Sequence, residues 1–349
     1  MRPRLSAKAR RTCLFVVRFV LIAIVVIVMT GQVGLAVIVL LAHQPVSRDG
    51  TVDQIVEIPG GMPAGKIGGL LKEQGLIRSA LIFNAMLRIT NRDSRLKAGE
   101  YLLNPAMSTM EVIQKLNEGT IVTHKVAIPE GYNLKQIAAE LAGKGLADPE
   151  RFLMLANNAE LVYGDELPFE LPISSLEGYL FPDTYYFAKE QTEEGIIRQM
   201  VKRFVDHVIP KVDLSLLDHK YTLHEVITLA SIVEKEVIYD FERPLVAAVY
   251  HNRLNISMRL QADPTVRYVM TENRSRVLYS DLAIDSPYNT YRNDGLPPGP
   301  IASPGLQSIL AVLEPADVDY LYFVAKNDGT HQFSRTFQEH VGARRSLGY

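Results

Sequence analysis

The run Phe19–Ala42, FVLIAIVVIVMTGQVGLAVIVLLA, holds no charged side chain in 24 residues, and its only strongly polar members are Thr30 and Gln32. As a helix it spans about 36 Å, enough to cross a hydrocarbon core of about 30 Å with some tilt. Six basic side chains precede or open it (Arg2, Arg4, Lys8, Arg10, Arg11, Arg18), with no acid among the first 18 residues. Positive charge stays on the cytoplasmic side, so the N-terminus is expected in the cytoplasm and everything after residue 43 outside it. A cleaved signal peptide has an apolar core of about 7–15 residues and a small-residue cleavage site. This run is longer, and Leu40-Leu41-Ala42-His43-Gln44-Pro45 offers no such site. The expectation is a retained single-pass anchor in the inner (cytoplasmic) membrane. Cys13 follows Arg10-Arg11-Thr12 rather than an apolar stretch, so it is no lipid-attachment site.

That anchor divides the charge unevenly. The chain holds 37 basic and 39 acidic side chains, so 31 bases face 39 acids beyond the tail. An exported body this acidic lacks the basic footprint that nucleic acid requires. Cys13 is the only cysteine, so the body has neither a disulfide framework nor a cysteine zinc site. At 349 residues, two domains are expected after the anchor.

Residues 43–51 read as a polar tether. Val52–Ile58 alternates as a strand, and helices follow over Pro63–Gly75, Ser79–Thr90 and Ser108–Glu118. Ser79 is a candidate N-cap, and Ser108 with Glu111 matches a capping box. Lys97–Leu103 reads as a turn into a strand, and Val122–Ile128 as a further strand. Asn133–Gly143, Asp148–Ala156, Glu193–Val208, Leu223–Ile238 and Arg243–Arg253 read as helices. Residues 157–183 read as loop-rich, and 279–305 as a long loop rich in Pro, Gly, Asn and Asp, of the kind usually kept for function. A helix over Ser308–Leu313 and a hairpin of Tyr320–Ala325 with Thr330–Ser334 about Asp328-Gly329 close the chain. The fold class is α+β.

Several motifs fail. Gly60 to Lys66 resembles a phosphate loop, but Ile67 stands where Ser or Thr must bind Mg²⁺. Ser94-x-x-Lys97 has the spacing of penicillin-binding enzymes without their partner motifs. His224-Glu225 begins a zinc-binding H-E-x-x-H, but Thr228 replaces the second ligand. No metal or cofactor is expected.

Leu229–Ile238 places Glu234 and Glu236 inside an apolar helical run. At about 100° per residue the two point about 160° apart, so they cannot share one proton. A carboxyl in apolar surroundings has a raised pKa and becomes a proton donor near neutral pH, as glycosidic cleavage demands. Helical geometry alone leaves the choice between them open, and leaves open that both pair with Lys235, Arg243 or Arg253.

Around this helix lie E-G-Y-L-F-P-D-T-Y (177–185), A-S-I-V-E-K-E (230–236), N-R-L (252–254), M-R-L-Q-A-D-P-T-V (258–266), Y-N-T-Y (288–291), G-L-P-P-G-P-I-A-S-P-G (295–305) and Y-L-Y-F-V-A (320–325). In these strings and their order the chain resembles the YceG-like family of endolytic murein transglycosylases. The resemblance implies a cytoplasmic tail (1–18), a transmembrane helix (19–42), a LysM-like subdomain (51–123) and a YceG-like catalytic domain (124–349) on the extracytoplasmic side. It also implies peptidoglycan strands as substrate, cell-wall synthases as partners, and Glu236 as the catalytic acid. Gln261, Asp263, Tyr288 and Asn289, then Glu177 and Tyr179, are the expected substrate contacts or supports. Two alternatives remain: a non-catalytic glycan-binding scaffold, and a hydrolase pairing Glu236 with Asp263 or Asp285.

Overall fold

The computed structural model describes residues 7–48, 52–92, 96–213, 220–271 and 277–348. Ser94 of the S-x-x-K spacing lies outside them. The chain forms two compact units, one of residues 1–123 with 188–190, the other of 124–187 with 191–349.

The first unit begins with helix α1 (Ala7–Ala42), 36 residues long. It therefore starts inside the basic segment that the sequence sets apart as a tail. Arg18–Ala42 is long and apolar enough to cross a membrane. Its apolar side chains point outward, and the Thr30 hydroxyl donates to the Val26 carbonyl at 2.8 Å, which satisfies that hydroxyl within the helix. After it come β1 (Gln54–Ile58), α2 (Ala64–Glu73), α3 (Ala80–Ile89), β2 (Gly99–Leu103) and α4 (Thr109–Glu118). β1 and β2 pair antiparallel, Gln54 opposite Leu103 and Ile58 opposite Gly99. The core gathers Val56, Leu71, Phe83, Tyr101 and Leu116. Ser79 caps α3, and Ser108 with Glu111 completes the expected capping box of α4.

The second unit contains β3 (His124–Ala127), α5 (Leu134–Gly143), α6 (Pro149–Ala156), α7 (Ala159–Tyr163), β4 (Thr184–Phe187) and α8 (Glu193–His207). These are followed by α9 (Leu223–Glu236), α10 (Arg243–Asn255), α11 (Asp263–Val269), α12 (Leu306–Leu313), β5 (Tyr322–Ala325), β6 (His331–Ser334) and α13 (Phe337–Ser346). β3 pairs with β4 and β5 with β6, both antiparallel. The structure adds to the expected elements here. The loop-rich stretch holds the short helix α7, and the 177–185 string runs into strand β4. Asp263 opens helix α11, and a further helix, α13, follows the hairpin.

α9 is the centre of this unit. Val226, Ile227, Leu229, Ala230, Ile232 and Val233 are all buried against neighbours that include α10 and α12. Burying the Val, Ile and Leu side chains among these contributes roughly 2 kcal/mol each. Two buried hydroxyls on α9 are satisfied locally, Thr228 by the carbonyl of His224 and Ser231 by that of Thr228. Ser231 also accepts the Ile301 N–H at 3.0 Å, and His224 Nε2 meets the Pro298 carbonyl at 2.8 Å. The Pro/Gly-rich segment is thus bonded along α9 instead of lying free. α9 ends at Glu236, two residues before the expected end, because Val237 turns extended (ψ 148°). Val237 and Ile238 are β-branched and lose χ1 freedom in a helix, which favours a stop there.

Candidate active site

The last turn of α9 sends its two glutamates to different places. Glu234 Oε2 sits 3.1 Å from Arg243 Nη1, 2.8 Å from Ser308 Oγ and 3.0 Å from the Gly305 N–H. Both side chains of that ion pair are only 7% exposed. Glu234 therefore ties α9 to the start of α10 and to α12 through three contacts on Oε2.

Glu236 instead opens into a cavity of about 240 Å³, lined by Tyr250 and Arg253 of α10, Leu260, Gln261, Asp263, Tyr291, and Phe323, Ala325 and His331 of the hairpin. Its side chain is half-buried, and Oε1 accepts a 2.8 Å hydrogen bond from the Tyr250 hydroxyl. Burial pushes its pKa up to about 7; the Asp263 charge adds to the rise, while the Tyr250 hydrogen bond and the charges of Arg267 and Arg253 oppose it. A helix C-terminus is also unfavourable for an anion. At pH 7 an ordinary glutamate at 4.5 would be about 0.3% protonated, whereas one at about 7 is half protonated. The environment thus enriches the acid form by more than a hundredfold.

The walls of the cavity are rigid. Tyr250 lies on the buried face of α10 with its ring edge-on to Phe323 at 5.9 Å. Three residues along, Arg253 donates from Nε to the Leu321 carbonyl (2.7 Å) and from Nη1 to that of Leu260 (2.6 Å), fastening the hairpin and the 260 loop to α10. Asp263, the first residue of α11, accepts the Tyr291 hydroxyl at 2.6 Å. Gln261, exposed at the rim, takes a positive φ of 48° while its N–H bonds the Thr290 carbonyl at 3.2 Å. Typical ligand pockets are about 300–1,000 Å³, so this one holds part of a ligand rather than a whole polymer.

A profile of the YceG-like family matches residues 56–346, most of the chain and all of this site. The chain belongs to the YceG-like family. It is 36% identical over 315 residues to the endolytic murein transglycosylase of Bacillus subtilis (strain 168), covering 86% of each. It is 34% identical over 313 residues to that of Streptococcus pneumoniae serotype 2 (strain D39 / NCTC 7466), covering 82% of this chain but 56% of the relative, so it spans just over half of the streptococcal protein. The crystal structure of a yceG-like protein from Listeria monocytogenes is 40% identical and covers 84% of this chain and 99% of its own, with a TM-score of 0.56.

Within this YceG-like chain, three of the residues singled out from the sequence share the cavity: Glu236, Gln261 and Asp263. Tyr288 and Asn289 precede the lining residue Tyr291 but do different work. Asn289 is wholly buried, donating to the carbonyls of Leu282 (3.0 Å) and Ile284 (2.8 Å) and accepting the Tyr291 N–H (3.0 Å), which fixes the loop. Tyr288 packs on Tyr268 with ring centroids 5.0 Å apart. Glu177 is buried away from the cavity; both its oxygens accept the Leu134 N–H and Oε2 takes the Tyr268 hydroxyl at 3.2 Å. Burial raises its pKa to about 7 despite these bonds. Tyr179 is fully buried, stacked on Phe169 at 4.8 Å and bonded to His224 Nδ1 at 2.8 Å. Tyr179 and Asn289 are both buried, Tyr179 within the packed core and Asn289 inside the loop it braces. Asp285 is not part of the cavity wall; its side chain is 96% exposed beside Arg292.

Four polar lining groups are not among the site residues expected from the sequence: Tyr250, Arg253, Tyr291 and His331. The one local signal is the pair Tyr250 and Arg253, a hydroxyl and a cation three apart on one face of α10.

Proposed function

We propose that this protein is a membrane-anchored endolytic murein transglycosylase. It cleaves the bond between N-acetylmuramic acid and N-acetylglucosamine in peptidoglycan strands and leaves 1,6-anhydro ends. The observation that carries the reading is Glu236, a half-buried carboxyl opening into the family's matched region with its pKa raised to about 7. The printed activity of the Bacillus and Streptococcus relatives supports the same chemistry.

In the proposed cycle, protonated Glu236 gives its proton to the glycosidic oxygen as the C1–O bond breaks. The muramoyl C6 hydroxyl then forms the new bond to C1 and returns its proton to the Glu236 carboxylate. No water is consumed, and the enzyme ends in its starting protonation state. One group serves as acid and then base, which suits a pKa near the working pH. The attack is intramolecular, so most of the acceleration available to the protein lies in holding the ring in a reactive pose. Asp263 sits where a negative charge favours both the neutral acid and the positive charge that develops at C1.

The anchor helix supports action next to the inner membrane, with the N-terminus cytoplasmic and the catalytic part outside; cell-wall synthases are the partners that the family resemblance implies. A second reading rests on Asp263 sharing the cavity: it could activate a water, and the enzyme would then be a hydrolase. Mass spectrometry of the products of purified strands tests both. Products one water lighter than reducing ends support the transglycosylase, reducing ends support the hydrolase, and binding without cleavage supports a scaffold.

A further inference from the structure

His331 has no place in the cycle above, yet it is built into the wall of the Glu236 cavity by a second carboxylate. It opens strand β6, opposite Ala325, and its ring meets Phe323 edge-on at 5.2 Å. Glu242, the residue before α10, accepts twice from it: Oε1 takes the His331 backbone N–H at 2.8 Å and Oε2 lies 2.8 Å from the ring Nδ1. The two side chains are 7% and 3% exposed. A carboxylate can only accept, so Nδ1 carries a proton, and in the neutral imidazole Nε2 is then the acceptor. With backbone and ring both held by one carboxylate, the ring orientation is fixed, and the edge turned away from Glu242 carries Nε2.

The chemistry of the substrate limits what this acceptor can hold. Within a strand, the muramoyl ring is linked through O1 and O4, and O3 carries the lactyl ether. Its remaining donors are the C6 hydroxyl and the acetamido N–H. The C6 hydroxyl must deliver its proton to Glu236. We propose that His331, fixed by Glu242, is a substrate-positioning residue whose Nε2 accepts the acetamido N–H of the muramoyl residue, turning the ring so that its C6 hydroxyl rather than water reaches C1. The inference rests on the transglycosylase reading and adds to it the group that selects the internal nucleophile. No bond is made or broken at His331.

The test is the ratio of anhydro to reducing ends, read with kcat, for full-length protein acting on purified glycan strands. With His331→Ala the ring is no longer held, kcat is expected to fall on the order of 100-fold, and water takes a measurable share of the products. Glu242→Gln keeps its carbonyl for the backbone N–H, but its amide can only donate toward Nδ1. The imidazole then adopts the other tautomer and presents a donor to the cavity, so the same shift toward reducing ends is expected with His331 still present. His331→Gln, whose side-chain carbonyl reaches the position of Nε2, is expected to restore part of the anhydro product. Unchanged thermal midpoints in these variants exclude a loss of fold. If His331→Ala and Glu242→Gln keep the wild-type ratio and kcat, or lose kcat with no change in ratio, the inference is overturned and the transglycosylase reading stands. If the wild-type protein itself yields only reducing ends, that reading falls and takes the inference with it.

Discussion

Removing one oxygen atom, in Tyr250→Phe, is expected to move the pH at which the enzyme stops working. The Tyr250 hydroxyl donates to Glu236 at 2.8 Å and is among the groups that hold the Glu236 pKa down. A hydrogen bond to a charged group contributes about 1.5–3 kcal/mol. At 1.36 kcal/mol per unit its loss raises the pKa by about one to two units, from about 7 to about 8–9. The phenyl ring keeps its packing on Phe323 and leaves no unpaired polar atom of its own. The assay is kcat/KM for release of anhydro ends between pH 5 and pH 9.5. In the wild type the acid form is lost above pH 7, so the rate falls about tenfold per pH unit. At pH 8.5 that leaves about 3% of the maximum, whereas Tyr250→Phe retains roughly a quarter to three quarters of its own maximum. An alkaline limb that stays at pH 7, or moves lower, would refute the assignment of Glu236 as the acid tuned by Tyr250.

Three further outcomes are measured on stability. Glu177 has a folded pKa of about 7 against an ordinary 4.5; its contribution is therefore full below pH 4.5, declines between pH 4.5 and 7, and is absent above. The total is about 3 kcal/mol, so urea midpoints of wild type and Glu177→Gln should diverge in the variant's favour as the pH rises through that window. Glu234→Gln removes one side of a buried ion pair and is expected to cost about 3 kcal/mol, while Glu236→Gln leaves stability equal or higher at pH 8, which separates the two glutamates. Gly178→Ala places a Cβ 2.5 Å from Pro300 Cβ at a φ of +85°; a loss of at least about 1–2 kcal/mol from the backbone conformation is expected, seen as a lower thermal midpoint.

Local chemistry was legible in the sequence where one segment contains its own cause. The capping box at Ser108–Glu111 and the hairpin turn at Asp328-Gly329 are each complete within a few residues. Helix α13 carries the same signal, Thr336 with Glu339, and was within reach. Strand β4 was not, because its partner β3 lies about sixty residues earlier and its own pattern is only four residues long. Helix α11 was hidden because its first turn, Asp263-Pro264, looks equally like a bend.

The candidate site divides the same way. Helical geometry separated Glu234 from Glu236 but could not say which one meets Arg243, since Arg243, Ser308 and Gly305 come from later segments. The resemblance pointed to Glu236, and the contacts of Glu234 supply a physical reason for that choice. For Tyr179 and Asn289 the sequence leaves contact and support open: an aromatic or amide side chain in a Pro/Gly-rich stretch reads alike whether it faces a ligand or braces the loop, and burial is what distinguishes the two. The Glu242–His331 pair joins residues 89 apart, and no local pattern announces it.

The most direct measurement is mass spectrometry of the products from purified strands treated with the full-length protein and, in parallel, with Glu236→Gln. Muropeptides one water lighter than reducing-end products, formed by the wild type and absent with the folded variant, are expected. Undiminished cleavage by folded Glu236→Gln would contradict the role given to Glu236, and reducing ends from the wild type would contradict the transglycosylase itself.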